Sequence, residues 1–146
     1  MNEQPKIFWF EPIIFFFFGV FHLHRIWALA DRVGYSEYWL SVLENRDLLY
    51  FLLVGVLGML CVAGFVVFIR NTGSNYWWRW FYVLGGGYVL FDLFAILVGL
   101  QIWMRLVYAM FDCANPYWNI IWGAFIGLGL VSFILGILIT KKILRR

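Results

Sequence analysis

Charge is scarce in this chain. Only 13% of its 146 residues are Asp, Glu, Lys or Arg, and no polar stretch is long enough to fold by itself. That excludes an ordinary soluble domain, in which about a quarter of the residues are charged. Cysteine is nearly missing as well. Cys61 and Cys113 are expected at depths too different for their Cα atoms to approach within the roughly 7 Å that a disulfide needs. No CxxC occurs, which removes a thiol-oxidase reading. The two histidines, His22 and His24, have too few cysteine or carboxylate neighbours to make a metal set. Their rings point to nearly opposite faces of a helix, so one chain cannot bring both to a haem iron. No metal and no cofactor is therefore expected. The net charge of +3 gathers in the tail KKILRR, and nothing resembles a nucleic-acid surface.

What remains is apolar and aromatic: 64% and 23% of the residues, respectively. A hydrocarbon core of roughly 30 Å takes about 20 apolar residues per helix. Four stretches qualify, at 12–30, 48–69, 80–104 and 117–139. The chain reads as an all-α integral membrane protein, a single four-span bundle whose first partner is the lipid bilayer. ALA at 28–30 resembles a signal-peptide cleavage site, but Arg25 and two histidines lie just before it, so the first stretch is kept as a span. Seven basic residues (Lys6, Arg70, Arg79, Lys141, Lys142, Arg145, Arg146) fall on the side of the termini. Four (Arg25, Arg32, Arg46, Arg105) fall on the other. Basic residues accumulate on the cytoplasmic side, so both termini are expected in the cytoplasm, at a plasma (inner) membrane.

Local signals refine this plan. Glu11-Pro12 opens the first helix, with Glu11 as cap and Pro12 in the first turn. Asn115-Pro116 opens the last helix in the same way. Between the first two spans, Ser36 is expected to cap a short amphipathic helix that puts Tyr35, Trp39, Val42 and Leu43 on one face, lying on the outer leaflet. Asp47 caps the second span, and RNTGSN makes a tight turn after it. The third span begins with the aromatic cluster YWWRWFY and a triple glycine at 85–87, a mark of close packing or of a hinge. Gly123, Gly127, Ser132 and Gly136 form a small-residue packing face on the last span, directed at the second span or at another subunit. A homo-oligomer or a larger membrane complex is thus a candidate partner. Nine tryptophans divide into two belts, with 9, 77, 78 and 80 at one interface and 27, 39, 103, 118 and 122 at the other.

Ionisable residues inside spans face the bundle interior and mark function by default. Here they are Glu11, His22, His24, Arg25 and Asp92, with Gln101 as a neutral companion. Asp92 sits midway between Arg79 and Arg105, near mid-membrane, and His22 is the nearest in depth. At 100° per residue, Glu11, Phe18, His22 and Arg25 share one stripe of the first span. On the third span Gly85, Tyr88, Asp92, Gly99 and Trp103 share another. The stripes are expected to face each other, with Asp92 paired to His22 or Arg25 in a buried polar layer, and with Tyr88, Gly85, Gly99 and Trp103 lining any pocket. No nucleophile with catalytic partners is evident, so no catalytic residue is assigned. The leading reading is a non-catalytic accessory or self-associating membrane module. The alternative is a small transporter or lipid-intermediate carrier using Asp92 with His22 or Arg25. A membrane enzyme comes third.

Overall fold

The structure, a computed structural model, describes residues 6–74 and 76–145. Asn75, the last residue of the expected turn, and Arg146 of the basic tail lie outside them. The described chain is all-helical, and four of its helical segments, Glu11–Ala30, Leu48–Arg70, Phe81–Val98 and Trp118–Leu144, are long and apolar enough to cross a membrane. Their outward faces carry large apolar side chains, among them Leu52, Met59, Phe94, Ile120 and Leu138, a surface suited to hydrocarbon and not to water.

The first segment is two helices, α1 (Glu11–Leu23) and α2 (Ile26–Ala30). The break falls at His24 and Arg25, whose side chains both turn back to the Phe21 carbonyl. Glu11 is not the cap that its place before proline suggested. Phe10 occupies that position without a side-chain bond, while Glu11 stands in the first turn and accepts the Phe8 amide at 2.7 Å.

Helix α3 (Arg32–Asn45) starts four residues before Ser36, because Asp31 caps it by accepting the Gly34 amide at 3.0 Å. Ser36 lies inside the helix and donates to the Phe111 carbonyl at 2.6 Å. The expected face of α3 exists, but it is turned inward: Tyr35 and Val42 are buried. Helix α4 (Leu48–Arg70) is capped by Asp47 as its sequence suggests, through the Tyr50 amide at 2.9 Å.

The third span departs most from the pattern. A π-helical turn (Phe81–Gly85) leads into α5 (Gly86–Val98), and the helix stops there. Gly99 takes the left-handed conformation, φ 68°, that ends helices. A separate amphipathic helix, α6 (Gln101–Phe111), follows. Apolar periodicity runs through both helices, which is why a single span to residue 104 was expected. Helix α7 (Trp118–Leu144) starts after a turn in which Asn115 accepts the Tyr117 amide, and it runs five residues beyond the expected end.

Packing makes two pairs. Helix α1 lies along α7, and α4 lies along α5 and the π turn. The first contact is close because glycines let the backbones meet. A Cβ on Gly129 would stand 2.9 Å from the His22 Cβ and 3.1 Å from the Gly19 carbonyl oxygen, and one on Gly136 would meet the Phe16 ring at 2.9 Å. Of the expected packing residues, Gly136 therefore faces α1, whereas Gly123 and Gly127 have nothing within 4 Å.

One cluster ties the pairs together, and a second joins α2 and α7 to α3 and α6. At the terminal end, Ile14, Phe15, Val67, Tyr76, Tyr82, Leu135 and Ile139 form a core. There Asn71 brackets the backbone of Lys6, accepting its amide at 2.9 Å and donating to its carbonyl at 3.0 Å. At the loop end, Ala28, Tyr35, Trp118 and Trp122 form the second core, fixed by a Trp118 indole bond to the Ala28 carbonyl at 2.8 Å.

Candidate functional site

Between the clusters the two pairs do not close on each other. A fissure separates α1 and α7 from α4 and α5, and two cavities occupy it. The terminal-half cavity, about 140 Å³, is walled by Phe15, Phe18, Leu60, Cys61, Gly64, Tyr82 and Ser132. The loop-half cavity, about 170 Å³, is walled by Arg25, Trp39, Tyr50, Asp92, Val107 and Trp122. His22, Tyr88, Val89 and Phe125 line both, so the two adjoin at these side chains. Of the large apolar side chains on their walls, Tyr88 of α5 and Leu128 of α7 are the exposed ones, at 49% and 51%.

The polarity of the walls is graded. The terminal half is almost wholly aromatic and aliphatic. The loop half gathers His22, Arg25 and Asp92, and Arg25 lies at the helix break. Its guanidinium donates to the Phe21 carbonyl at 3.1 Å and to Nδ1 of His22 at 2.6 Å. Arginine is only ever a donor, so His22 accepts, which fixes its proton on Nε2. Phe21 and Phe125 flank the same guanidinium, with ring centroids 4.8 and 4.7 Å away, a cation–π setting.

Asp92 occupies the facing wall. Its Oδ1 accepts the Trp103 indole N–H at 2.6 Å, and Trp103 also packs on Phe91 and Tyr88. Trp103 thus reaches Asp92 from α6, folded back beyond Gly99, and not along one continuous stripe. Gly99 serves the site only by making that turn, and Gly85 lines the terminal-half cavity. Arg25 and Asp92 share the loop-half cavity within coulombic reach of each other, across space rather than through a direct bond.

Four groups that the sequence did not flag complete the site. Trp39, Tyr50 and Trp122 line the loop half, and their indole N–H or hydroxyl groups are buried without a hydrogen-bond partner among the described residues, as is Nε of Arg25. Tyr35 sits behind Arg25, where burial pushes its hydroxyl up to about 12 while the Arg25 charge pulls the other way. No periodic signal marks these aromatics as different from an interfacial belt. Only the fold separates Trp39 and Trp122, which turn inward, from Trp27, which remains 39% exposed.

Glu11, expected as a helix cap and on the His22 stripe of the first span, is buried at the terminal end, where Tyr82 donates to its Oε2 at 2.7 Å. Among the described residues no three metal-ligating side chains converge.

Comparison of the chain with protein-family models, with curated proteins and with solved structures finds no match. Function is therefore argued from the site itself.

Proposed function

We propose that the protein is a small membrane-embedded binding module or carrier for an amphipathic ligand, which enters between α5 and α7 and lodges in the fissure. One observation carries this reading: an aromatic and aliphatic cavity adjoins a cavity that bears Arg25 and Asp92. A ligand whose polar head meets those two charges compensates them, while its apolar tail fills the other half. A cavity of about 150 Å³ admits a group the size of benzene, so each half takes a head or a short tail segment. On the basic-residue asymmetry, the loop half is the outer half and both termini are cytoplasmic, at a plasma membrane.

Native mass spectrometry after mild detergent extraction tests this. The wild type should carry one bound amphiphile. Val89→Trp, which fills the stretch common to both cavities, should lose it while keeping its helical circular dichroism. A wild type that carries nothing, or a filled variant that still carries ligand, contradicts the reading.

Self-association is a second reading with its own observation: Gly55, Gly58, Gly123 and Gly127 all border open space, which leaves room for another helix. Gly127→Leu should then dissociate a detergent-stable oligomer without unfolding the monomer. A monomeric wild type removes this reading.

A further inference from the structure

The loop half of the fissure presents one cation and one anion on facing walls, and this sets what it can hold. Arg25 is fixed by Phe21 and His22 on one side of the space. Asp92 is fixed by Trp103 on the other, with its Oδ1 committed and Oδ2 without a hydrogen bond among the described residues. An ion of either single sign meets one partner and one like charge there, and the like charge disfavours it. A neutral head adds no ionic contact, and Arg25 and Asp92 are left only to each other across the space. A head carrying both signs satisfies both walls.

We infer that the fissure selects a zwitterionic phospholipid from the bilayer, its phosphate on Arg25 and its ammonium on Asp92. Phosphate matches the planar donor fork of arginine. Trp39, Tyr50 and Trp122 line the same cavity and keep it from the bilayer. On the other wall, Tyr88 lines the same cavity as Asp92, and an aromatic face stabilises an ammonium beside a carboxylate. A short segment of one acyl chain then runs past Val89 and Phe125 into the terminal half, among Phe15, Phe18 and Leu60, and the rest of the lipid stays in the bilayer.

This inference rests on the amphiphile-binding reading, and one experiment separates the two. The full chain is placed in nanodiscs containing phosphatidylethanolamine, phosphatidylglycerol and a neutral glycosyl diacylglycerol in equal amounts, and the lipid retained after transfer to detergent is identified by native mass spectrometry. Phosphatidylethanolamine should be retained at least about tenfold over the other two, the scale of one charge-assisted contact. Arg25→Gln should reduce that retention about tenfold. Asp92→Asn keeps the side-chain shape and should abolish the preference for phosphatidylethanolamine over phosphatidylglycerol. Preference for phosphatidylglycerol or the glycolipid, or retention of all three alike, overturns the zwitterion inference and leaves amphiphile binding standing. Retention of no lipid overturns both. The competition on the wild type needs no variant, so a poorly folding Arg25→Gln protein does not protect the inference.

Discussion

Adding one methyl group at each of three glycines of α7 separates the face that packs from the faces that do not. At Gly129 the new Cβ lies 2.9 Å from the His22 Cβ and 3.1 Å from both the Gly19 carbonyl oxygen and the Leu23 amide nitrogen. Two of these three atoms are α1 backbone and cannot rotate away, so α1 and α7 must separate. Overpacking of this kind costs about 1–3 kcal/mol. Alanine recovers up to about 1 kcal/mol of helix propensity over glycine, so Gly129→Ala should destabilise by about 1–2 kcal/mol. At Gly136 the close atoms, at 2.9 to 3.2 Å, all belong to the Phe16 ring, which can turn aside, and the net change should be near zero. At Gly127 nothing lies within 4 Å, and alanine should be neutral or stabilising by up to about 1 kcal/mol. Reversible unfolding in mixed micelles, followed by tryptophan fluorescence, gives the three values under one condition. The order Gly129, then Gly136, then Gly127 is required. A Gly127→Ala protein as damaged as Gly129→Ala refutes the α1–α7 packing and restores the 123–127 face as the principal contact.

The remaining predictions concern the ends and walls of the fissure. Tyr82→Phe removes one donor to the buried Glu11 carboxyl and should cost about 1.5–3 kcal/mol; a double-mutant cycle with Glu11→Gln should show a coupling of at least about 0.5 kcal/mol, and additive effects would deny that the bond stabilises the terminal end. Trp103→Phe should release Asp92 and destabilise by about 1–3 kcal/mol, whereas the same change at the exposed Trp77 should stay within about 0.5 kcal/mol; equal effects would leave the bond to α6 without consequence. For orientation, cysteines placed at Thr72 and Lys142 should be shielded from a membrane-impermeant maleimide added outside intact cells, and one at Ser41 should react. Labelling of Lys142→Cys from outside reverses the topology.

The four apolar helices were legible because length and hydropathy alone set them. So was the Asp47 cap, where an acidic residue directly precedes an unbroken apolar run. Asp31 and Ser36 show where such reading fails. Both are acceptable caps, and the choice of Asp31 becomes evident only when Tyr35 and Val42 of the resulting helix are seen to pack inward. The stop at Gly99 was hidden by the apolar residues on both sides, since a single glycine inside a span is as compatible with packing as with a helix end.

At the site, helical periodicity put His22 and Arg25 on one stripe and singled out Asp92, and the fold places all three on one cavity. It could not give the partner of Asp92. Trp103 comes within reach only through the turn at Gly99, and tertiary placement of the indole donors leaves no periodic trace. Glycine spacing put Gly123, Gly127, Ser132 and Gly136 on one packing face and passed over Gly129, whose contact with α1 depends on the position of Gly19.

Occupancy of the fissure tests the central claim most directly. A bilayer phospholipid carrying a photoreactive diazirine in its acyl chain, and a second carrying it on the head, are crosslinked to the protein in nanodiscs and the modified residues are mapped. The account predicts that the chain probe labels Phe18, Leu60 or Val89 and the head probe labels the Trp39, Tyr50 and Trp122 region, with both signals lost in Val89→Trp. Labelling confined to outward residues such as Ile120 and Leu138, unchanged by Val89→Trp, would contradict it.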